Sequence, residues 1–136
     1  MQSNKTSQWM LSTGAIFALS AVLIGAFGAH GLKQVLDSYA LGLIETAAKY
    51  QMYHAIALLI LGVMTNLAQF ANSRLNWVGS FFTLGVILFS GSLYLLAFSQ
   101  AKWLGAVTPV GGLALMLGWL MLIITTYKGT ASIKPE

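Results

Sequence analysis

The chain has 136 residues, 57% hydrophobic and 7% charged, with seven Lys and Arg against three Asp and Glu and a formal net charge of +4. An ordinary soluble domain is about 25% charged, so this composition, with mean hydropathy +0.77, cannot cover a water-facing surface. The cations are scattered singly, which excludes a nucleic-acid footprint, and the lack of cysteine excludes disulfides, thiolate nucleophiles and cysteine-ligated metals.

Four stretches hold no charged residue: 6–32, 50–73, 75–101 and 103–127. Each exceeds the about 20 residues that a spanning helix needs, and a charge at a helix centre costs about 2.5–3.5 kcal/mol on insertion scales. The expected fold is all-α: an integral membrane four-helix bundle forming one domain over 1–136. Its spans fall near 9–28, 50–69, 77–98 and 103–127, with a short amphipathic interfacial helix after the first.

The first span follows a polar tail carrying Lys5. A signal peptide cleaved near Ala26-Phe27-Gly28 is the competing reading, but the apolar run is longer than a signal core and favours a retained helix. Gly14, Ala18, Ala21, Gly25 and Gly28 recur at spacings of three and four, forming a stripe of small residues. Such a stripe reads as a seam for close helix contact. A substrate groove is the alternative.

Leu32, Val35, Leu36, Tyr39 and Leu43 recur at helical spacing with Lys33, Gln34, Asp37 and Ser38 off the stripe, which predicts a headgroup-level helix over about 32–48. Gly42 allows a bend before the periodicity runs on toward Gln69. Glu45 and Lys49 stand in the favourable i,i+4 order. Asp37 and Glu45 are eight positions apart, about 80° around a helix, so they do not form a carboxylate pair. A turn at about Asn72–Asn76 leads into the third span, and Ser99–Lys102 leads into the fourth; such short connections predict antiparallel neighbours. Trp9, Trp77, Trp103 and Tyr127 mark span ends, where an aromatic belt belongs. Pro109 sits in the second turn of the last span, where a missing amide is cheapest to tolerate.

Polar side chains in the membrane are costly and often functional. His30 closes the first span and His54 opens the second, which predicts one cluster near a single membrane face. It comprises His30, Glu45, Lys49, Tyr50, Tyr53, His54, Ser92, Tyr94 and Thr108, with Gln51 and Ser90 nearby. The structural reading of the histidines is helix–helix bonding and carbonyl capping; a proton relay and haem ligation are the rivals. Gly14, Ala21, Gly25, Gly28, Gly91, Gly111, Gly112 and Gly118 are the expected helix-packing positions. Neither a nucleophile elbow nor a phosphate-cradling loop is present, so no catalytic or metal residue is assigned and no cofactor is expected.

The strings GAFGAHGL at 25–32, KYQMYHAIALL at 49–59, FSGSLYLLA at 89–97 and TPVGGLALMLGW at 108–119 together resemble a small bacterial membrane family, domain of unknown function 423. The resemblance spans nearly the whole chain apart from its tails. It implies a four-span inner-membrane protein and supplies no roles for the matching residues, which include His30, Tyr50, His54, Ser90, Ser92, Tyr94, Thr108, Pro109 and Trp119. The expected function is a non-enzymatic, multi-pass inner-membrane protein with a structural, assembly or complex-subunit role. Alternatives are a small oligomeric transporter or channel for protons or a small solute, and a haem- or quinone-linked redox protein. The expected partners are the lipid bilayer and either a second copy or another membrane protein. Lys5, Arg74, Lys128 and Lys134 on the terminal side outnumber Lys33, Lys49 and Lys102, which favours cytoplasmic termini.

Overall fold

A computed structural model describes residues 5–67, 70 and 74–131. Four helices account for nearly all of them: α1 (Lys5–His30), α2 (Ser38–Met64), α3 (Leu75–Ser99) and α4 (Leu104–Ala131). All four contain segments long and apolar enough to cross a membrane, and no strand occurs among the described residues.

The segment after α1 differs from the expectation. One 3-10 turn, Leu32–Gln34, follows α1, and α2 then runs unbroken from Ser38, joining most of the expected headgroup-level segment to the second span in one helix. Asp37 fixes that start: it lies in extended backbone, and its Oδ1 accepts a hydrogen bond from the Ala40 amide at 2.7 Å. This satisfies one of the amides that the first turn leaves unpaired. The α-helix continues through Gly42 without a break. The expected end of the second span at Gln69 and part of the Asn72–Asn76 turn lie outside the described residues.

Each helix packs chiefly on its sequence neighbour, α1 on α2, α2 on α3 and α3 on α4, with only a slight contact between α1 and α3. The inner helices α2 and α3 carry most of the core, centred on Leu58, Leu61, Val78 and Phe82 with Met10 of α1 and Leu115 of α4. The outer helices turn Ile16, Leu19, Leu113 and Ile123 outward. In a bilayer those side chains meet lipid tails and need no further cover. Trp77, Trp103 and Tyr127 are exposed at helix ends, whereas Trp9 donates its indole N–H to Asn76 Oδ1 at 3.0 Å and ties α1 to α3.

The α3–α4 connection is tight. Gln100 adopts a left-handed backbone (φ 55°) and donates its amide to the Leu96 carbonyl at 2.9 Å, ending α3. The register is antiparallel throughout: Ser92 faces Thr108, Phe89 faces Gly111, Gly85 faces Leu115 and Phe82 faces Gly118. Pro109 lies inside α4 near its start, as its sequence position predicts.

Candidate functional site

The polar residues that reach the helix interfaces do not gather into one cluster. The best-connected of them is Gln51, buried on α2. Its Nε2 donates to the Phe17 carbonyl at 2.9 Å and to Ser20 Oγ at 2.6 Å, and its Oε1 accepts from the Tyr94 hydroxyl at 2.9 Å. Both amide hydrogens are used, and α1, α2 and α3 are joined at one depth. Tyr94 reaches Gln51 because helical side chains lean toward their own N-terminus, which brings its hydroxyl back to the level of Ser90. Ser90 in turn donates to the Ala47 carbonyl at 2.9 Å.

His54 lies at mid-helix, because α2 begins far earlier than Tyr50. Trp119 Nε1, which can only donate, bonds His54 Nε2 at 3.0 Å. Nε2 therefore accepts, and the proton sits on Nδ1, which donates to the Tyr50 carbonyl at 2.8 Å. Phe82 packs edge-on against the imidazole (centroids 5.2 Å) and tilted on Trp119 (4.9 Å). This group links α2, α3 and α4.

His30 does not join His54. It is exposed at the end of α1, whereas the residue after His54, Ala55, has its carbonyl against Gly14. Those levels are about 24 Å apart along α1 at 1.5 Å per residue, so the two histidines cannot line one cavity. Glu45 and Lys49 form the expected i,i+4 pair at 3.7 Å, both exposed. Tyr50 and Tyr53 are exposed and in ring contact with each other, and Tyr50 also meets Phe89. Ser92 and Thr108 share a hydrogen bond of 2.8 Å between α3 and α4. Ser7, not singled out from the sequence, donates to the Gly62 carbonyl at 2.7 Å and is joined by Asn66 at 3.0 Å.

The small residues divide by environment. A Cβ on Gly14 would lie 2.8 Å from the Ala55 carbonyl oxygen, and one on Gly28 3.1 Å from Ile44 Cγ2. Ala21 is buried on the same stripe. On α4, a Cβ on Gly111 would collide with the Phe89 backbone, and one on Gly118 would lie 2.6 Å from the Phe82 ring. Gly25 has only Ala48 at 3.9 Å, Gly112 only the Phe89 ring from 3.7 Å, and Gly91 nothing within 4 Å. Gly91 is therefore not a packing position.

Two open grooves lie at the end where α1 and α3 finish and α2 and α4 begin. One, of about 580 Å³, runs between α1 and α2 past Gly25, Gly28, Gly42 and Ile44, with Lys33, Glu45 and Lys49 among its polar lining. The other, of about 470 Å³, is bounded by Asp37 and Tyr39 of the α2 start, Ala97 and Gln100 at the α3 end, and Lys102. Among the described residues, no group of three or more metal-ligating side chains occurs.

Comparison with known proteins finds relatives of this chain. A UPF0382 membrane protein of Staphylococcus aureus (strain bovine RF122 / ET3-1) is 48% identical over 115 residues, which is 85% of this chain and 92% of the relative. Those of Staphylococcus haemolyticus and Staphylococcus saprophyticus are 48% and 46% identical over the same length, covering 92% and 93% of the relatives. No solved structure matches the chain. The model of the protein family of unknown function DUF423 matches residues 24–112, from the end of α1 to the glycine pair of α4. By that match and those relatives, this chain is a membrane protein that belongs to the DUF423 family.

Proposed function

We propose that this protein is a non-enzymatic component of the bacterial inner membrane, with a structural, assembly or complex-subunit role. The observation that carries this reading is that the best-connected interior polar groups are spent on bonds within the bundle. Gln51 spends both amide hydrogens and its carbonyl oxygen within the bundle, and both ring nitrogens of His54 are engaged. A general acid or base needs a hydrogen-bonding position free to meet substrate. Proton relays and axial haem ligation likewise need a ring nitrogen that is not already committed.

The test is capture from membranes in mild detergent after crosslinking. A complex larger than one chain, with a reproducible second copy or membrane partner, is the expected result. A lone monomer in every detergent, with no crosslinked partner, would remove the support. The transporter alternative predicts proteoliposome flux that His54→Ala abolishes, and flux absent above blanks counts against it. The one-residue excess of cations on the terminal side favours cytoplasmic termini. Because the chain lacks cysteine, a single Lys33→Cys variant tests this directly: an impermeant thiol reagent added outside intact cells should label it.

A further inference from the structure

We propose that the groove between the end of α1 and the first turns of α2 holds one anionic phospholipid, its phosphate beside Gly42 between Lys33 and the raised Lys49 ammonium and an acyl chain running inward past Gly25. Three observations converge on it: depth, floor and charge.

The depth follows from the helix register. The Ala47 carbonyl meets Ser90, which lies nine residues inside the end of α3 at Ser99, about 13 Å along the axis. The apolar run of α3 continues past that level, with Leu95 and Phe98 exposed. Glu45 and Lys49 flank Ala47, so this exposed pair stands about 13 Å inside the end of α3, beside its apolar run. Charged side chains at such depth are costly unless partnered. Their own contact, 3.7 Å, is longer than a charge-assisted hydrogen bond of about 2.8 Å, which leaves the Lys49 ammonium with donors to offer. Lysine side chains on a helix lean toward its N-terminus and snorkel outward, and here that direction runs up the groove toward Lys33.

The floor is backbone. A Cβ on Gly42 would meet nothing within 4 Å, and one on Gly25 only Ala48 at 3.9 Å, so there is room for a phosphate beside Gly42 and for methylenes past Gly25. The charge selects the headgroup. Two lysines and one carboxylate line the groove, leaving an excess of one positive charge that a phosphodiester anion neutralises. A zwitterionic headgroup carries an ammonium that restores the positive charge its phosphate removes, so it would leave the excess uncompensated. The neighbouring groove, with Asp37 and Lys102 on its lining, has no such excess.

This assignment goes beyond the non-enzymatic reading and is tested separately, by lipid retention rather than partner capture. The purified full chain is exchanged into phosphatidylglycerol or phosphatidylethanolamine nanodiscs, released, and weighed by native mass spectrometry. One phosphatidylglycerol per chain should survive, with phosphatidylethanolamine retained at least tenfold less. Lys33→Ala and Lys49→Ala should each weaken retention about fivefold. Gly42→Leu, whose side chain enters open space, should abolish retention while leaving the melting temperature unchanged, so the test survives a lysine variant that fails to fold. Gly91→Leu, equally open on α3 but outside the groove, should retain the lipid. Equal retention of both lipids, an unaffected Gly42→Leu, or a lipid-free dimer that Gly42→Leu dissociates would overturn the assignment.

Discussion

The two sides of α3 are fastened by opposite means. Toward α2 it offers directional bonds, with Ser90 on the Ala47 carbonyl and the Tyr94 hydroxyl on Gln51. Toward α4 most of the contact is between bare backbones and rings, with Gly111 against Phe89 and Gly118 against Phe82, and the Ser92–Thr108 bond sits near one end. Lipid tails are as apolar as leucine, so membrane helices gain little by hiding apolar surface from one another. What remains is close approach, which glycine permits, and hydrogen bonding, which sets height and rotation. The α3–α4 contact shows the first and the α2–α3 contact the second.

This contrast can be broken most severely at Gly111. Gly111→Ala drives a methyl into the Phe89 backbone, which cannot yield by rotating a side chain, and should cost about 3 kcal/mol, the upper end of overpacking effects. Gly112→Ala, one residue on with only ordinary ring contact, should stay within about 0.5 kcal/mol; denaturant titration in mixed micelles reads both. Similar losses for the pair would dismiss the backbone-contact account of this seam.

On the polar side, Gln51→Leu removes three interhelical bonds at about 0.6 kcal/mol each and strands the Tyr94 hydroxyl, so about 2 kcal/mol should be lost in the same titration. Trp119→Phe keeps the ring against Phe82 but deletes the bond to His54. It should cost about 1 kcal/mol, seen as a lower melting temperature. The smallest effect has the opposite sign. Thr83 is the one buried side-chain hydroxyl without a partner among the described residues, and Thr83→Val should be neutral or stabilising by up to about 1 kcal/mol. Destabilisation there would reveal a bonding role that the packing does not show.

The spans were legible because charge avoidance over twenty residues is a strong, local signal. The Glu45–Lys49 pair and the α1 stripe were legible from helical spacing alone. The depth of His54 was not, since it depended on where α2 begins, and Asp37 capping Ala40 set that start earlier than Gly42 suggested. Gln51 is less conspicuous in the sequence than the histidines near it, because its importance lies in what it meets on α1 and α3, which no single-helix pattern encodes. Trp119 belonged to a recognisable string, yet its partner is on a helix 65 residues away in sequence. Gly91 and Gly111 read alike as letters; only the neighbouring helix separates open space from contact.

The Gln100 reversal carries a consequence for biogenesis. Only residues 100–103 join α3 to α4, so bringing these two spans together closes a very short loop and forfeits little chain freedom. We expect the pair to enter the bilayer as a preassembled hairpin, zipping from the turn outward. Lengthening the turn by a dozen Gly-Ser residues should then slow acquisition of protease resistance during synthesis into membranes while lowering the final stability by only about 1 kcal/mol. An unchanged time course would mean that the spans insert one by one.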